Sequence, residues 1–261
     1  MRYRDKVVIV TGGSRGIGAG CVDVFVREGG STVVFCSPNE GEGKAYEKKI
    51  NAAGPGRAEF VRADVTQSDD LQYLVETAAT RHGRIDCLVN NAGWHPPNKP
   101  IDDFSVDDFR SLLELNLVSV FAACRWALPH LRKVKGNIIN ISSLVGAMGQ
   151  VGATTYVATK GAVTAFTKAL AVDEAAHEVR VNAVSPGNIF TPLWQEAIER
   201  APDPAACRAE GDAAQLLGRM GSIEEAGRLC LFLAADATFT TGVDHFLTGG
   251  AELAYGRKTR R

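Results

Sequence analysis

The residues able to do chemistry in this 261-residue chain fall at two points, one early and one past the middle. Tyr156-Val157-Ala158-Thr159-Lys160 sets a phenol and an ammonium at i and i+4, one above the other on a helix face. A free tyrosine has a pKa of about 10, and bringing it to about 7 takes roughly 4 kcal/mol in favour of the phenolate, part of which an adjacent cation supplies. Such a pair can move protons, and by itself it also fits helix packing beside a solvated charge. Upstream, Ser143 follows a strand-like run and offers its hydroxyl to a substrate oxygen or to a turn. Asn116, inside a helical segment, can hold a water, distort a helical turn, or be an amide satisfied by backbone.

The early point is Thr11-Gly12-Gly13-Ser14-Arg15-Gly16-Ile17-Gly18, directly after an apolar run. Glycines at that spacing allow a tight turn and bring backbone N–H groups to a pyrophosphate at a helix N-terminus, the signature of a dinucleotide site. About 20 residues on, an acid would receive the adenosine ribose hydroxyls and repel the extra phosphate of NADP; Ser37 stands there instead. Ser37 can hydrogen-bond a ribose without that repulsion, and Arg15 is a cation for a phosphate, so these residues leave NAD and NADP both open. Asp64-Val65 and Asn90-Asn91-Ala92-Gly93 follow later strand-like runs, where an open α/β sheet builds its ligand crevice or a plain Asx turn forms. His95, Gln150 and Trp194 lie near these motifs in sequence and are candidates to line a substrate pocket, His95 and Gln150 toward hydroxyls and Trp194 toward a flat ring.

Positioning these residues requires alternating strands and helices. Apolar runs at Val7–Val10, Thr32–Phe35, Phe60-Val61, Ile85–Val89, Asn137–Ile141, Val179–Val184 and Phe246-Leu247 lack polar alternation, as strands covered on both faces do. Helical spacing fills 16–28, 68–82, 106–130, 155–177 and 222–234. The pattern predicts an α/β fold: a doubly wound, Rossmann-type parallel sheet of about seven strands with helices on both faces. Residues 1–261 read as one domain. The least regular stretch, 188–220, contains Pro192, Pro202 and Pro204 and is a candidate flap or a fixed surface excursion; 257–261 is a basic tail read as solvated.

Composition narrows the function classes. Lysine plus arginine number 29 against 30 aspartate plus glutamate, so net charge gives no general attraction to nucleic acid or to a membrane surface. Six scattered cysteines form neither a Cys-x-x-Cys pair nor a zinc spacing, so no metal is expected and a reducing, cytoplasmic setting is. The amino terminus runs straight into the first strand with no signal-peptide pattern.

Taken together, Thr11-Gly12-x-x-x-Gly16-x-Gly18, Asn90-Asn91-Ala92-Gly93, Asn116, Ser143, Tyr156-x-x-x-Lys160 and Pro186-Gly187 resemble the short-chain dehydrogenase/reductase family over nearly the whole chain. The resemblance implies that Tyr156 is the general acid/base, that Lys160 lowers its pKa and holds the nicotinamide ribose, that Ser143 orients the reacting oxygen, and that Asn116 supports a proton relay. It implies a dinucleotide site built from Gly12, Ser14, Arg15, Gly16, Ile17, Gly18, Ser37, Asp64, Val65, Asn91, Ala92, Gly93, Tyr156, Lys160, Pro186, Gly187, Ile189 and Thr191. Longer blocks, including Trp94-His95-Pro96-Pro97 and Asn188–Trp194, narrow the expected substrate to a small-molecule secondary alcohol of the 17β-hydroxysteroid or L-fucose class, bound through His95, Ser143, Gln150, Tyr156 and Trp194. NAD is the expected cofactor, and the resemblance also implies a homotetramer with the helices near 106–130 and 155–177 at its contacts. The alternatives are an NADP-dependent carbonyl reductase of another substrate and a catalytically silent dinucleotide sensor.

Overall fold

The computed structural model describes residues 1–253, and the basic stretch 257–261 lies outside them. In chain order the main elements are β1 (Val7–Thr11), α1 (Gly16–Val24), β2 (Thr32–Ser37), α2 (Glu40–Asn51), β3 (Arg57–Arg62), α3 (Ser68–His82), β4 (Cys87–Asn90), α4 (Val106–Leu113), α5 (Ser119–Val134), β5 (Asn137–Ile141), α6 (Val145–Met148), α7 (Thr154–Glu174), β6 (Arg180–Pro186), β7 (Ile189–Phe190), α8 (Pro192–Arg200), α9 (Pro204–Ala213), β8 (Gly221–Ser222), α10 (Ile223–Ala235) and β9 (Asp244–Leu247). All five residues of β1 are buried, because β-branched side chains fill both faces of the strand.

Every ladder in the main sheet is parallel, in the order β3-β2-β1-β4-β5-β6-β9. One residue row crosses five strands: Val34 beside Ile9, then Leu88, Ile138 and Val181. This row faces Leu71 and Leu74 of α3, Leu131 of α5 and Val163 of α7. The alternate residues Val8, Val10, Val33 and Phe35 face the opposite layer, with Phe25, Cys230 and Leu231. Alternation within single strands thus feeds two cores, the doubly wound arrangement expected from the sequence.

Strand order reverses between β1 and β4, so their carboxyl ends open the crevice in which such sheets bind ligands. Among the described residues, the 106–134 helical stretch is long and apolar enough by composition alone to cross a membrane. Here its apolar side, including Val120, Ala123, Ala127 and Leu131, is packed into the sheet's core.

The stretch read as irregular, 188–220, is largely helical. Two of its three prolines start helices instead of breaking them: Pro192 and Pro204 open α8 and α9, where proline lacks only an N–H that needs no helical partner, and Pro202 lies in the bend between them. Thr191 and Asp203 cap those helices by accepting from Trp194 N and Ala206 N. The small β7-β8 ladder, Ile189 beside Gly221 and Phe190 beside Ser222, ties the two ends of the flap together.

Close packing of α1 on α10 rests on absent side chains. A β-carbon on Gly20 would run into the Ile223 carbonyl, and one on Gly227 into that of Gly20. Gly20→Ala is therefore expected to destabilise the protein by about 1–3 kcal/mol despite alanine's better helix propensity. Gly41→Ala on α2, where the nearest atom would be 3.6 Å away, should stabilise by about 0.5–1 kcal/mol. Urea unfolding of the two variants checks the opposite signs.

Candidate active site

The carboxyl ends of β1 and β4 are fastened together. Asn91 Nδ2 donates to the carbonyls of Thr11 at 2.9 Å and Gly12 at 3.1 Å, while Thr11 Oγ1 accepts from the backbone N–H of Asn91 and Ala92. This holds Gly12, in the left-handed region at φ 64°, and Gly16, at φ 57°, at the start of α1. A β-carbon on Gly18 would collide with the Gly12 carbonyl.

Gly12, Ser14, Arg15, Gly16, Ile17 and Gly18 therefore form one cradle. The first turn of α1 carries no acidic residue, and Arg15 at its N-cap gives no side-chain acceptor to the N–H groups. Uncapped N–H groups beside glycines that admit no side chain suit the pyrophosphate of a dinucleotide.

The other residues expected around that group lie at the same sheet edge, with differing engagements. Ser37 ends β2, buried, and donates from Oγ to the Asn39 carbonyl at 3.2 Å. Asp64 follows β3, and its Oδ1 accepts from Thr66 N and Oγ1, an Asx turn; Val65 is in the core. Pro186 ends β6 and accepts at its carbonyl from Leu144 N, which brings Pro186-Gly187 beside Ser143. Ile189 is buried on β7, and Thr191 lies across the glycine cradle, its methyl 3.8 Å from where a Gly16 β-carbon would stand.

Ser143 and Tyr156 come together because β5 and α7 are pinned at their junction. Ser142 Oγ donates to the Lys160 carbonyl at 2.8 Å, and Lys160 Nζ donates to the Ile141 carbonyl at 2.8 Å. Ser143 hydrogen-bonds the Tyr156 phenol and pulls its pKa down, while burial pushes it up more strongly, to about 12. Lys160 is 5% exposed, and burial lowers its pKa to about 8. Its ammonium stands 5.8 Å from the centre of the Tyr156 ring, so in the chain itself the phenol's shift arises from burial and Ser143.

Asn116 is fully buried in a π-helical turn, Glu114–Val118, between α4 and α5. Its Oδ1 accepts from Trp94 N at 2.9 Å, and its Nδ2 donates to Trp94 O and to Thr159 Oγ1. The extra residue of that turn re-aims one side chain inside an otherwise regular helix. A β-carbon on Gly93 would stand 3.1 Å from Asn116 Oδ1 and 3.5 Å from Lys160 Nζ, so the loop after β4 runs against both.

Over the phenol sits His95, its ring centre 4.2 Å from that of Tyr156. His95 Nδ1 lies 2.6 Å from the Pro96 carbonyl, and Nε2 lies 3.1 Å from Gln150 Oε1. Lys99 N donates to the Gly152 carbonyl at 2.9 Å, joining the same two loops through backbone. Trp194 packs within the flap, its ring carbons 3.2 and 3.4 Å from where a Gly211 β-carbon would stand.

Two participants had no place in the sequence reading. Thr159, which accepts from Asn116, sits inside the Tyr156–Lys160 motif and could have been found from that position. Glu196 of α8 pairs with Arg15 at 3.3 Å across 181 residues of sequence, and no local signal points to it.

A phenol, a serine hydroxyl, a buried amine and a dinucleotide cradle at one sheet edge define a hydride-transfer site acting on an alcohol or carbonyl. The short chain dehydrogenase family model matches residues 6–202, and the chain belongs to that family of oxidoreductases, which use NAD or NADP. It is 56% identical to an L-fucose dehydrogenase of Rattus norvegicus over 257 residues, 98% of this chain and 93% of that protein. It is 40% identical to a cyclopentanol dehydrogenase of Comamonas testosteroni, across 95% of this chain and 98% of that one. Among solved structures, L-sorbose reductase from Gluconobacter frateurii, complexed with NADPH and L-sorbose, superposes with a TM-score of 0.92 at 26% identity, covering 98% and 99% of the two chains.

The buried lysine makes stability depend on pH with a definite sign. Unfolded, Lys160 keeps its proton to its ordinary 10.5; folded, it releases it near 8. Between these values the unfolded chain binds more protons, so raising the pH stabilises the fold through this group. Relative to Lys160→Met, wild type should gain stability from about pH 8 to pH 10, measured by urea unfolding across that range. A flat difference would show that the amine is not desolvated.

Proposed function

We propose that the protein oxidises a secondary alcohol of the L-fucose class with NAD, using Tyr156, Lys160, Ser143 and Asn116. The observation that carries the sugar assignment is the His95–Gln150 pair above the Tyr156 ring, two polar side chains placed to meet a hydroxyl next to the reacting one. The likeness to L-fucose dehydrogenases supports it.

The cradle from Gly12 to Gly18 would hold the dinucleotide's pyrophosphate, with Asn91, Ala92, Pro186, Gly187 and Thr191 around it; when bound, the oxidised dinucleotide supplies the hydride acceptor. Ser143 holds the substrate oxygen and the phenol in one hydrogen-bonded set. Tyr156 takes the hydroxyl proton in oxidation and returns it in reduction. A phenol held near 12 by burial is protonated at neutral pH, so oxidation needs positive charge beside it to favour the phenolate. Lys160 supplies part of that charge from its fixed place under Ile141, and Asn116 fixes the backbone of the 94–95 loop that carries His95.

A hydroxysteroid is the second reading. It is favoured by the exposed Trp94 and Val151, on the loops that carry His95 and Gln150, and by Met148 at the end of α6, a rim suited to an apolar substrate. For assembly we propose a homotetramer in the cytoplasm. Phe121 of α5 is 52% exposed and meets Phe166 of α7 edge-on at 6.2 Å, beside a cavity of about 270 Å³ on the outer face of these helices. A second copy packed there would cover this apolar ground.

Three measurements test these proposals. Initial rates with L-fucose and with estradiol, each with NAD and NADP, should favour L-fucose with NAD. Tyr156→Phe should lose turnover by about 10²–10⁴-fold while still binding dinucleotide in a fluorescence titration. Preference for estradiol would replace the sugar reading with the apolar one, and near-normal turnover of Tyr156→Phe would remove the mechanism. Separately, Phe121→Glu should sediment as a smaller species than wild type; an unchanged mass would place the contacts elsewhere.

A further inference from the structure

The flap helix α8 is attached to the glycine cradle by charge. Arg15 Nη2 lies 3.3 Å from Glu196 Oε1, with both side chains about half exposed at 53% and 42%. Between the cradle, α2 and α8 is a cavity of about 480 Å³ whose charged lining residues are Arg15, Glu42, Lys49 and Glu196. Ser14 and Pro192 close it from the loop and the flap. The end of β2, where an acid would set the preference for an unphosphorylated ribose, has only the hydroxyl of Ser37, already donated to Asn39 O.

We propose that Glu196 is the acidic determinant of dinucleotide choice in this protein, acting through Arg15 to favour NAD over NADP. This rests on the reading that the cradle binds a dinucleotide. An arginine at the mouth of the cradle would otherwise serve the extra phosphate of NADP by charge-assisted hydrogen bonds. Paired with Glu196, Arg15 can reach that phosphate only by giving up this carboxylate, which keeps only the longer 4.0 Å approach of Arg200 while a dianion enters nearby. NAD carries no such phosphate, so its binding does not draw the Arg15 side chain away from Glu196. Discrimination thus comes from an unfavourable contact with the wrong ligand, supplied from the flap and not from β2.

An ion pair this exposed supports an effect of about two- to fivefold. The test uses equilibrium titration of the full chain with NAD and with NADP, read by protein fluorescence and independent of turnover. Wild type should bind NAD more tightly. Glu196→Gln should shift the ratio of the two dissociation constants toward NADP by about two- to fivefold, and Glu196→Lys by more. Glu199→Gln, one residue type and three positions away on α8, should leave the ratio in place. In an Arg15→Ala background the Glu196→Gln shift should disappear.

An unmoved ratio in Glu196→Gln with NAD still bound, a shift that persists without Arg15, or tighter binding of NADP by wild type would each overturn the proposal. Failure of wild type to bind either dinucleotide would instead overturn the functional reading beneath it.

Discussion

The clasp between Thr11 and Asn91 is the constraint on which the rest of the site depends. It uses one hydroxyl and one amide to bind four backbone groups at the sheet's reversal point, between strands that are neighbours in space and about 80 residues apart in sequence. A parallel sheet leaves the carboxyl ends of its strands as separate loops, and nothing in the ladder itself sets the distance between them. With the clasp in place, the glycine cradle on one side and the loop carrying Gly93, Trp94 and His95 on the other have a common origin. Gly93 then runs against Asn116 and Lys160, and Trp94 offers both its backbone groups to the Asn116 amide.

A second layer of constraint places Tyr156 and Lys160, the proposed proton-handling groups, at the expense of stability. Lys160 is buried with a backbone carbonyl as its hydrogen-bond acceptor, so its charge is disfavoured by desolvation and its pKa falls. The phenol beside it is displaced in the opposite direction by the same burial. Both shifts favour the uncharged form, yet with values of about 8 and about 12 the amine stays mostly charged and the phenol stays protonated at neutral pH. A site of this kind is tuned by what it binds. The π-helical turn at Asn116 belongs to the same pattern, because it breaks the regular helical spacing between α4 and α5 to turn one amide inward.

Much of this was legible in the sequence, and the reasons are physical. The inner strands β1, β2, β4, β5 and β6 were visible because strands buried on both faces need apolar runs, the edge strands β3 and β9 showed only the short Phe60-Val61 and Phe246-Leu247, and α3 was read at 68–82 because Leu71, Leu74, Val75 and Ala78 repeat at helical spacing. The glycine cradle and the Tyr156–Lys160 pair were visible because backbone approach and i, i+4 stacking each demand fixed residue types at fixed intervals. α2 was missed: Glu40–Asn51 carries Gly41 and Gly43 and buries little beyond Ile50, so neither propensity nor periodicity marks it. Gly43 is there because the Phe60 ring fills the place a side chain would take, a fact about β3 that no reading of α2 alone contains. The helices within 188–220 were missed for a related reason, since proline at the first position of a helix and proline in a loop look alike until the cap is seen.

What the sequence could not show is which distant side chains meet. Arg15 and Glu196, His95 and Gln150, and Asn116 and Thr159 are brought together by topology; Arg15, His95, Gln150 and Asn116 were candidates singly, but nothing in the sequence pairs them with these partners. The asymmetry has a consequence for how such proteins diversify. The cradle and the Tyr156–Lys160 helix rest on the sheet, where a change disturbs two cores at once. Glu196 and Trp194 sit on α8, which opens with its own cap and joins the sheet domain through the short β7-β8 ladder and contacts at the cradle. Substitutions on α8 can therefore alter what the crevice accepts without altering how the crevice is built. On the proposed reading, hydride-transfer geometry belongs to the sheet, and discrimination among ligands belongs to α8 and the two loops clasped over Tyr156.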